Sequence, residues 1–192
     1  MAADSPDVID TVQAAYRQHF ELAPARASVS FVGLEPIEVL RFPDGDFDHY
    51  VTLGMSRHPM ADPSEVVVDA AGAPRAELLI TASGRPDELW RSLAVLAAAP
   101  AVEAAVYAIG NRIDLTQPLC AGSRCTGGIL AESGLEPIPA PGIADVLVFR
   151  LLPATQTELA WARVHGSEAL RDLWADQASD LSDLFRDPVR LD

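Results

Sequence analysis

The chain has 192 residues, 49% of them apolar and 22% charged, a balance that fits one globular domain and is too apolar for disorder. Against 28 Asp and Glu stand 14 basic residues, all arginine, for a net charge of −14 at pH 7. Such a surface repels phosphate backbones and anionic bilayers, which argues against nucleic-acid and membrane-surface roles and suits a basic partner.

Ser5-Pro6-Asp7 predicts a helix start, with a cap, a proline in the first turn and an acid at the positive end of the dipole. Val8, Ile9, Val12, Ala15, Tyr16, His19 and Phe20 follow at helical spacing, and Pro24 stops the run. The N-terminal residues lack the basic start and apolar centre of a secretory signal. No apolar run approaches the roughly 20 residues of a membrane span. The expected location is cytoplasmic.

Strands are expected over 28–34, 37–42 and 49–55, the last two joined through Pro43-Asp44-Gly45 as a hairpin with a loop longer than two residues. The acidic tip, Asp44 to Asp48, fails as a calcium loop because His49 and Met55 stand where an EF-hand needs Gly and its closing Glu. It is a solvated turn. Further strands are expected at 65–69 and 75–81, then a helix opening at Arg85-Pro86-Asp87-Glu88, burying Leu89, Leu93 and Leu96 and closed by Pro100. From Pro100 to Gly142 the chain is rich in Pro, Gly and small residues, with short candidate strands only at 105–109 and 128–131. Long irregular stretches of this kind commonly carry function.

Val146 to Leu152 is apolar on both alternating faces except at Arg150, the pattern of a central strand covered on both sides, and Pro153 is expected to end it. Thr155 and Glu158 form an S/T-x-x-E capping box that opens a helix. Gly166 closes that helix, and Ser167 is expected to cap a second one carrying Leu170, Leu173 and Trp174. The polar tail, 179–192, is expected to fray. Together these elements predict a single compact α+β domain over 1–178, with a mostly antiparallel or mixed central sheet and helices packed on it.

Chemistry is harder to find. Gly54-Met55-Ser56-Arg57-His58 begins like a nucleophile elbow but has His58 in place of the second glycine. His19, His49, His58 and His165 show no metal-binding spacing, and no glycine-rich phosphate loop is present. Cys120 and Cys125 lack two further zinc ligands and too few cysteines exist for a disulfide scaffold, so free thiols are expected. No cofactor is implied, and nothing reads as an enzyme. The alternative is a small-molecule hydrolase or metal-dependent enzyme using His49 and His58 with Asp46 and Asp48 of the acidic loop.

The order of segments is more informative. Asp48-His49-Tyr50-Val51-Thr52-Leu53-Gly54-Met55-Ser56, followed by Glu77-Leu78-Leu79-Ile80, resembles the Suppressor of fused domain family. Trp90 with Leu93 and Leu96, Ile109-Gly110-Asn111, Pro118-Leu119, and Phe149-Arg150-Leu151-Leu152-Pro153-Ala154-Thr155 leading to Glu158-Leu159 are similar to later parts of that family. Asp48 departs from animal members, which carry an aromatic there. The resemblance implies a non-enzymatic protein-binding domain. Animal members restrain a zinc-finger transcription factor by gripping an extended peptide, and compact bacterial members, which this chain is similar to, are thought to be immunity proteins that neutralise polymorphic toxins. A protein partner, such as a basic toxin domain, is therefore expected, with Asp44, Asp46, Asp48, Tyr50, Arg57 and His58 as its candidate contacts.

Overall fold

A computed structural model of the chain describes residues 7–60, 69–86 and 88–191. In chain order its elements are α1 (Val8–Phe20), β1 (Ala25–Phe31), β2 (Leu34–Asp44), β3 (Phe47–Leu53), β4 (Arg75–Ser83), α2 (Leu89–Glu103), β5 (Arg112–Asp114), β6 (Cys125–Glu132), β7 (Val146–Thr155), α3 (Gln156–His165) and α4 (Ser167–Asp176). The seven strands form one sheet in the order β1-β2-β3-β4-β7-β6-β5. Every pairing is antiparallel except β4 with β7, which is parallel. This is the mixed α+β sheet that the sequence predicts, and β7 takes the expected interior place between β4 and β6.

Strand alternation distributes the core between the two faces. Ala76, Leu78 and Ile80 of β4 pack with Tyr50 of β3 and with Leu89, Leu93 and Ala97 of α2. Leu79, on the opposite face, joins Val51, Leu53 and Phe42 against Ile9, Val12 and Tyr16 of α1. A third cluster sets Leu159, Ala162, Leu170 and Trp174 of α3 and α4 on Ile129 and Ala154. Full burial of each such leucine or isoleucine contributes about 1.5–3 kcal/mol, so the sheet is held from both sides.

Local departures have local causes. Asp7 is the cap of α1, accepting from the Ile9 amide, while Ser5 lies outside the described residues. The strand expected at 65–69 falls mostly outside them as well. The helix expected from Arg85 begins only at Leu89, because Arg85 and Glu88 both take positive φ. Pro100 lies inside α2 instead of closing it. A proline there leaves the carbonyl four residues back without its amide, and the Tyr107 hydroxyl donates to that carbonyl, Leu96 O, at 2.7 Å. Tyr107 is consequently drawn in and buried, while Val106 stays exposed, and the segment does not form the strand expected at 105–109.

Pro153 likewise lies within β7, opposite Gly128. Its carbonyl accepts from Arg186 Nη2 at 3.0 Å, so this edge of the residue faces away from β6. The pairing with β4 has stopped at Arg150, and the missing amide interrupts no ladder bond. Ser167 does not cap α4: Gly166 occupies the cap position, and the Ser167 hydroxyl donates to Gly110 O at 2.7 Å. The last segment is anchored where composition predicts fraying, with Leu184, Arg186 and Val189 buried.

Candidate functional site

The polar residues that punctuate the sequence motifs fall mostly inside the scaffold. Glu77 is fully buried and accepts from Thr52 Oγ1 at 2.6 Å, Ser56 Oγ at 2.6 Å, and the amides of Gly54 and Ser56 at 2.9 and 3.0 Å. Paired residues of β3 and β4 run only to Val51 and Leu79; beyond them the Leu78 amide donates to Thr52 Oγ1 at 2.8 Å. Gly54 takes φ +136°, and a Cβ there would press on Pro36 O and the Arg57 guanidinium. Thr52, Gly54, Ser56 and Glu77 thus form one closed hydrogen-bonded knot. Ser56 is 0% exposed, which removes it as a nucleophile.

Glu158 is a second such knot. The expected capping box is present, with Thr155 N donating to Glu158 Oε2 and Glu158 N to Thr155 Oγ1. The same carboxylate also receives Trp174 Nε1, the Val189 amide and both terminal nitrogens of Arg186. Burial works to raise its pKa, but the Arg186 guanidinium and the amides of Thr155 and Val189 outweigh it and hold the carboxyl below its ordinary value. Cys120 and Cys125 are both buried, and burial pushes the Cys125 thiol up to about 12, far from a nucleophile's range.

The candidate contact residues lie along the β2–β3 hairpin. Asp44 and Asp46 are exposed at its tip, whereas Arg57 and His58 follow the other end of β3, separated from the tip by roughly 20 Å of strand. Arg57 Nη1 donates to Pro36 O at 2.9 Å, and His58 Nε2 lies 3.1 Å from Glu35. His49 points to the α1 side, with Nδ1 2.9 Å from Thr81 Oγ1 and Nε2 3.4 Å from Asp44. His49 and His58 therefore share no site, and among the described residues no group of three His, Cys, Asp or Glu side chains is placed to hold a metal ion.

Asp48 and Tyr50 face the α2 side and are both buried. Asp48 Oδ2 lies 3.5 Å from Arg41 Nη1 and 3.6 Å from Arg85 Nε, within ion-pair range of both. Burial, then the Asp48 charge, raises the Tyr50 hydroxyl above its ordinary pKa. Above them opens a groove of about 290 Å³, lined by Arg26, Arg41, Tyr50, Arg85 and Trp90. Sequence reasoning reached Asp48 and Tyr50 and missed the arginines and Trp90. The hairpin register sets Arg41 directly opposite Tyr50, a pairing legible once the turn is fixed. Arg85 arrives from beyond β4 and gives no such signal.

A family model described as "Suppressor of fused protein (SUFU)" matches residues 33–187. None of the curated proteins compared matches the chain. Among solved structures, a SUFU homolog from Neisseria gonorrhoeae superposes with a TM-score of 0.71 at 19% identity, covering 95% of this chain and 96% of that one. A chain of the Sufu–Fu complex gives a TM-score of 0.71 at 14% identity, with 97% and 93% covered. Drosophila Suppressor of Fused gives 0.68 at 15% identity over 98% of this chain but only 52% of its own length. At these identities the likeness is one of fold.

Proposed function

The chain belongs to the Suppressor of fused family, and on that premise we propose that it is a non-enzymatic protein-binding domain, an inhibitor of the immunity type that captures and neutralises a basic protein such as a toxin domain. The observation that carries this reading is the family match over residues 33–187. A related fold is found in a Sufu–Fu complex, which supports protein capture as its use. The burial of Ser56, Glu77, Cys125 and Glu158 supports it too, since these groups are engaged in holding the scaffold and do not line a cleft. The −14 net charge suits a cationic partner by accelerating encounter, and the exposed hairpin tip with Asp44 and Asp46 belongs to that acidic surface.

The test is co-expression with the products of the adjoining genes, scoring rescue from toxicity and direct binding by calorimetry. Capture of one such product, with an association rate that falls steeply with added salt and falls again in Asp44→Asn/Asp46→Asn, is the expected result. Absence of binding to any neighbouring gene product sinks the immunity reading. Asp48 has no place in that experiment, because its burial makes a charge reversal there a test of folding.

A further inference from the structure

On a protein of net charge −14, the groove above Asp48 gathers three arginines, and their pairing decides what it can hold. Arg26 is bound to Glu38 at 2.7 Å, and Glu88 at the rim is bound to Arg91 at 3.1 Å. Among the described residues, Arg41 and Arg85 have a single carboxylate, Asp48, between them, and it is 2% exposed. At 3.5 and 3.6 Å those contacts are ion pairs without hydrogen bonds, and neither Asp48 oxygen accepts a hydrogen bond from the described residues. The two guanidinium groups are held near each other by the Asp48 charge while their donors remain uncommitted to it, and Arg41 also donates to the Tyr50 hydroxyl. Among the described residues, one buried negative charge against these two positive ones leaves a single net positive charge. Tyr50 and Trp90 supply aromatic wall to the same groove, and the volume of about 290 Å³ is on the scale of one or two side chains.

We propose that Arg41 and Arg85, held by Asp48, form a receptor for a single carboxylate, the side chain of a Glu or Asp presented by the protein partner. The net charge of one matches a monoanion better than a dianionic phosphate, and two guanidinium forks offer the paired donors that a carboxylate accepts. In a partner that is basic overall, one buried acid received here supplies specificity where the diffuse acidic surface supplies only attraction. Asp48 is the positioning residue, which sets both the spacing of the arginines and the charge of the groove.

The inference rests on the protein-binding reading, but its test uses the isolated protein with small probes, so either can fail without the other. The N-acetylated, C-amidated tripeptide Gly-Glu-Gly, its Gly-Gln-Gly counterpart and inorganic phosphate are titrated against nitrogen-15-labelled protein while the arginine side-chain Nε–H resonances are followed. Saturable movement of the Arg41 and Arg85 signals with Gly-Glu-Gly, weakened about tenfold or more by Arg41→Gln or Arg85→Gln, is expected. Arg85 is two-thirds exposed, so its variant is not expected to disturb the fold. Asp48→Asn, which keeps the shape and adds one net positive charge, is expected to move the preference toward phosphate. A preference unchanged by that variant overturns the positioning role. Equal binding of Gly-Gln-Gly, tighter binding of phosphate to the unaltered protein, or no saturable movement overturns the carboxylate receptor.

Discussion

Arg186, six residues from the end of the chain, lays its guanidinium across both oxygens of Glu158, with Nη1 2.7 Å from Oε1 and Nη2 2.9 Å from Oε2. Both side chains are buried, and the arginine also sits 5.6 Å over the Trp174 ring. Removing one partner of such a pair strands the other charge in the core and costs about 3–5 kcal/mol. Arg186→Ala is therefore expected to lower stability by that amount in urea denaturation. The double variant Glu158→Gln/Arg186→Ala is expected to lose less than the sum of its two single changes. Additive losses would show that the two residues act separately.

The same pair gives the fold a pH dependence. Although burial acts to raise the Glu158 pKa, its hydrogen-bonded partners bring it below the ordinary 4.5 in the folded state. The unfolded chain then binds the proton more readily than the native one, so the contribution of this group is complete above about 4.5 and is lost as pH falls through the lower native value. Stability measured from pH 6 down to about 3 is expected to fall, and Glu158→Gln is expected to flatten part of that slope. An identical slope in the variant would assign the acid sensitivity to other carboxylates.

Tyr107 and Pro100 form a compensating couple. The proline removes the amide that Leu96 O would accept, and the tyrosine hydroxyl, buried and pushed upward in pKa by that burial, donates in its place. Tyr107→Phe is expected to cost about 1–3 kcal/mol by leaving a buried carbonyl unmet. In a Pro100→Ala background, where an amide is restored, the same change is expected to cost clearly less. Equal costs in the two backgrounds would refute the coupling.

Around Glu77 the prediction concerns folding and not activity. Thr52→Val and Ser56→Ala each remove a 2.6 Å bond to the buried carboxylate and are expected to destabilise by about 1–3 kcal/mol. Gly54→Ala is expected to cost about 1–3 kcal/mol through its positive φ and the Pro36 carbonyl beside it. Thermal melts of the three variants, with circular dichroism of the native baselines, check whether the losses occur without a change of fold. Stability unchanged in Ser56→Ala would remove the serine from the knot.

Much of this architecture was legible in the sequence because it depends on neighbours within a few residues. The helical spacing from Val8 to Phe20, the doubly apolar run of β7 and the Thr155–Glu158 box are local patterns, and each appears where the sequence places it, whereas the expected Pro43-Asp44-Gly45 loop is a two-residue turn at Gly45-Asp46, with Pro43 and Asp44 still paired in β2. The order of the motifs was sufficient to indicate the family, whose match spans residues 33–187. What the sequence could not supply is the identity of distant partners. Pro100 and Pro153 read as terminators, since nothing local shows that Tyr107 will meet the Leu96 carbonyl or that Arg186 will meet the exposed edge of β7. Thr155 and Glu158 read as a cap alone, until residues 186 and 189 arrive from the chain end to complete a buried ion pair. Asp48 read as part of a solvated acidic tip. Its burial between Arg41 and Arg85 follows from the pleat of β3, which turns Asp48 toward α2, and from the turn that brings Arg85 back over it. Local pattern determined which elements form; the tertiary structure decided which polar groups are spent inside the scaffold and which charges remain to meet a partner.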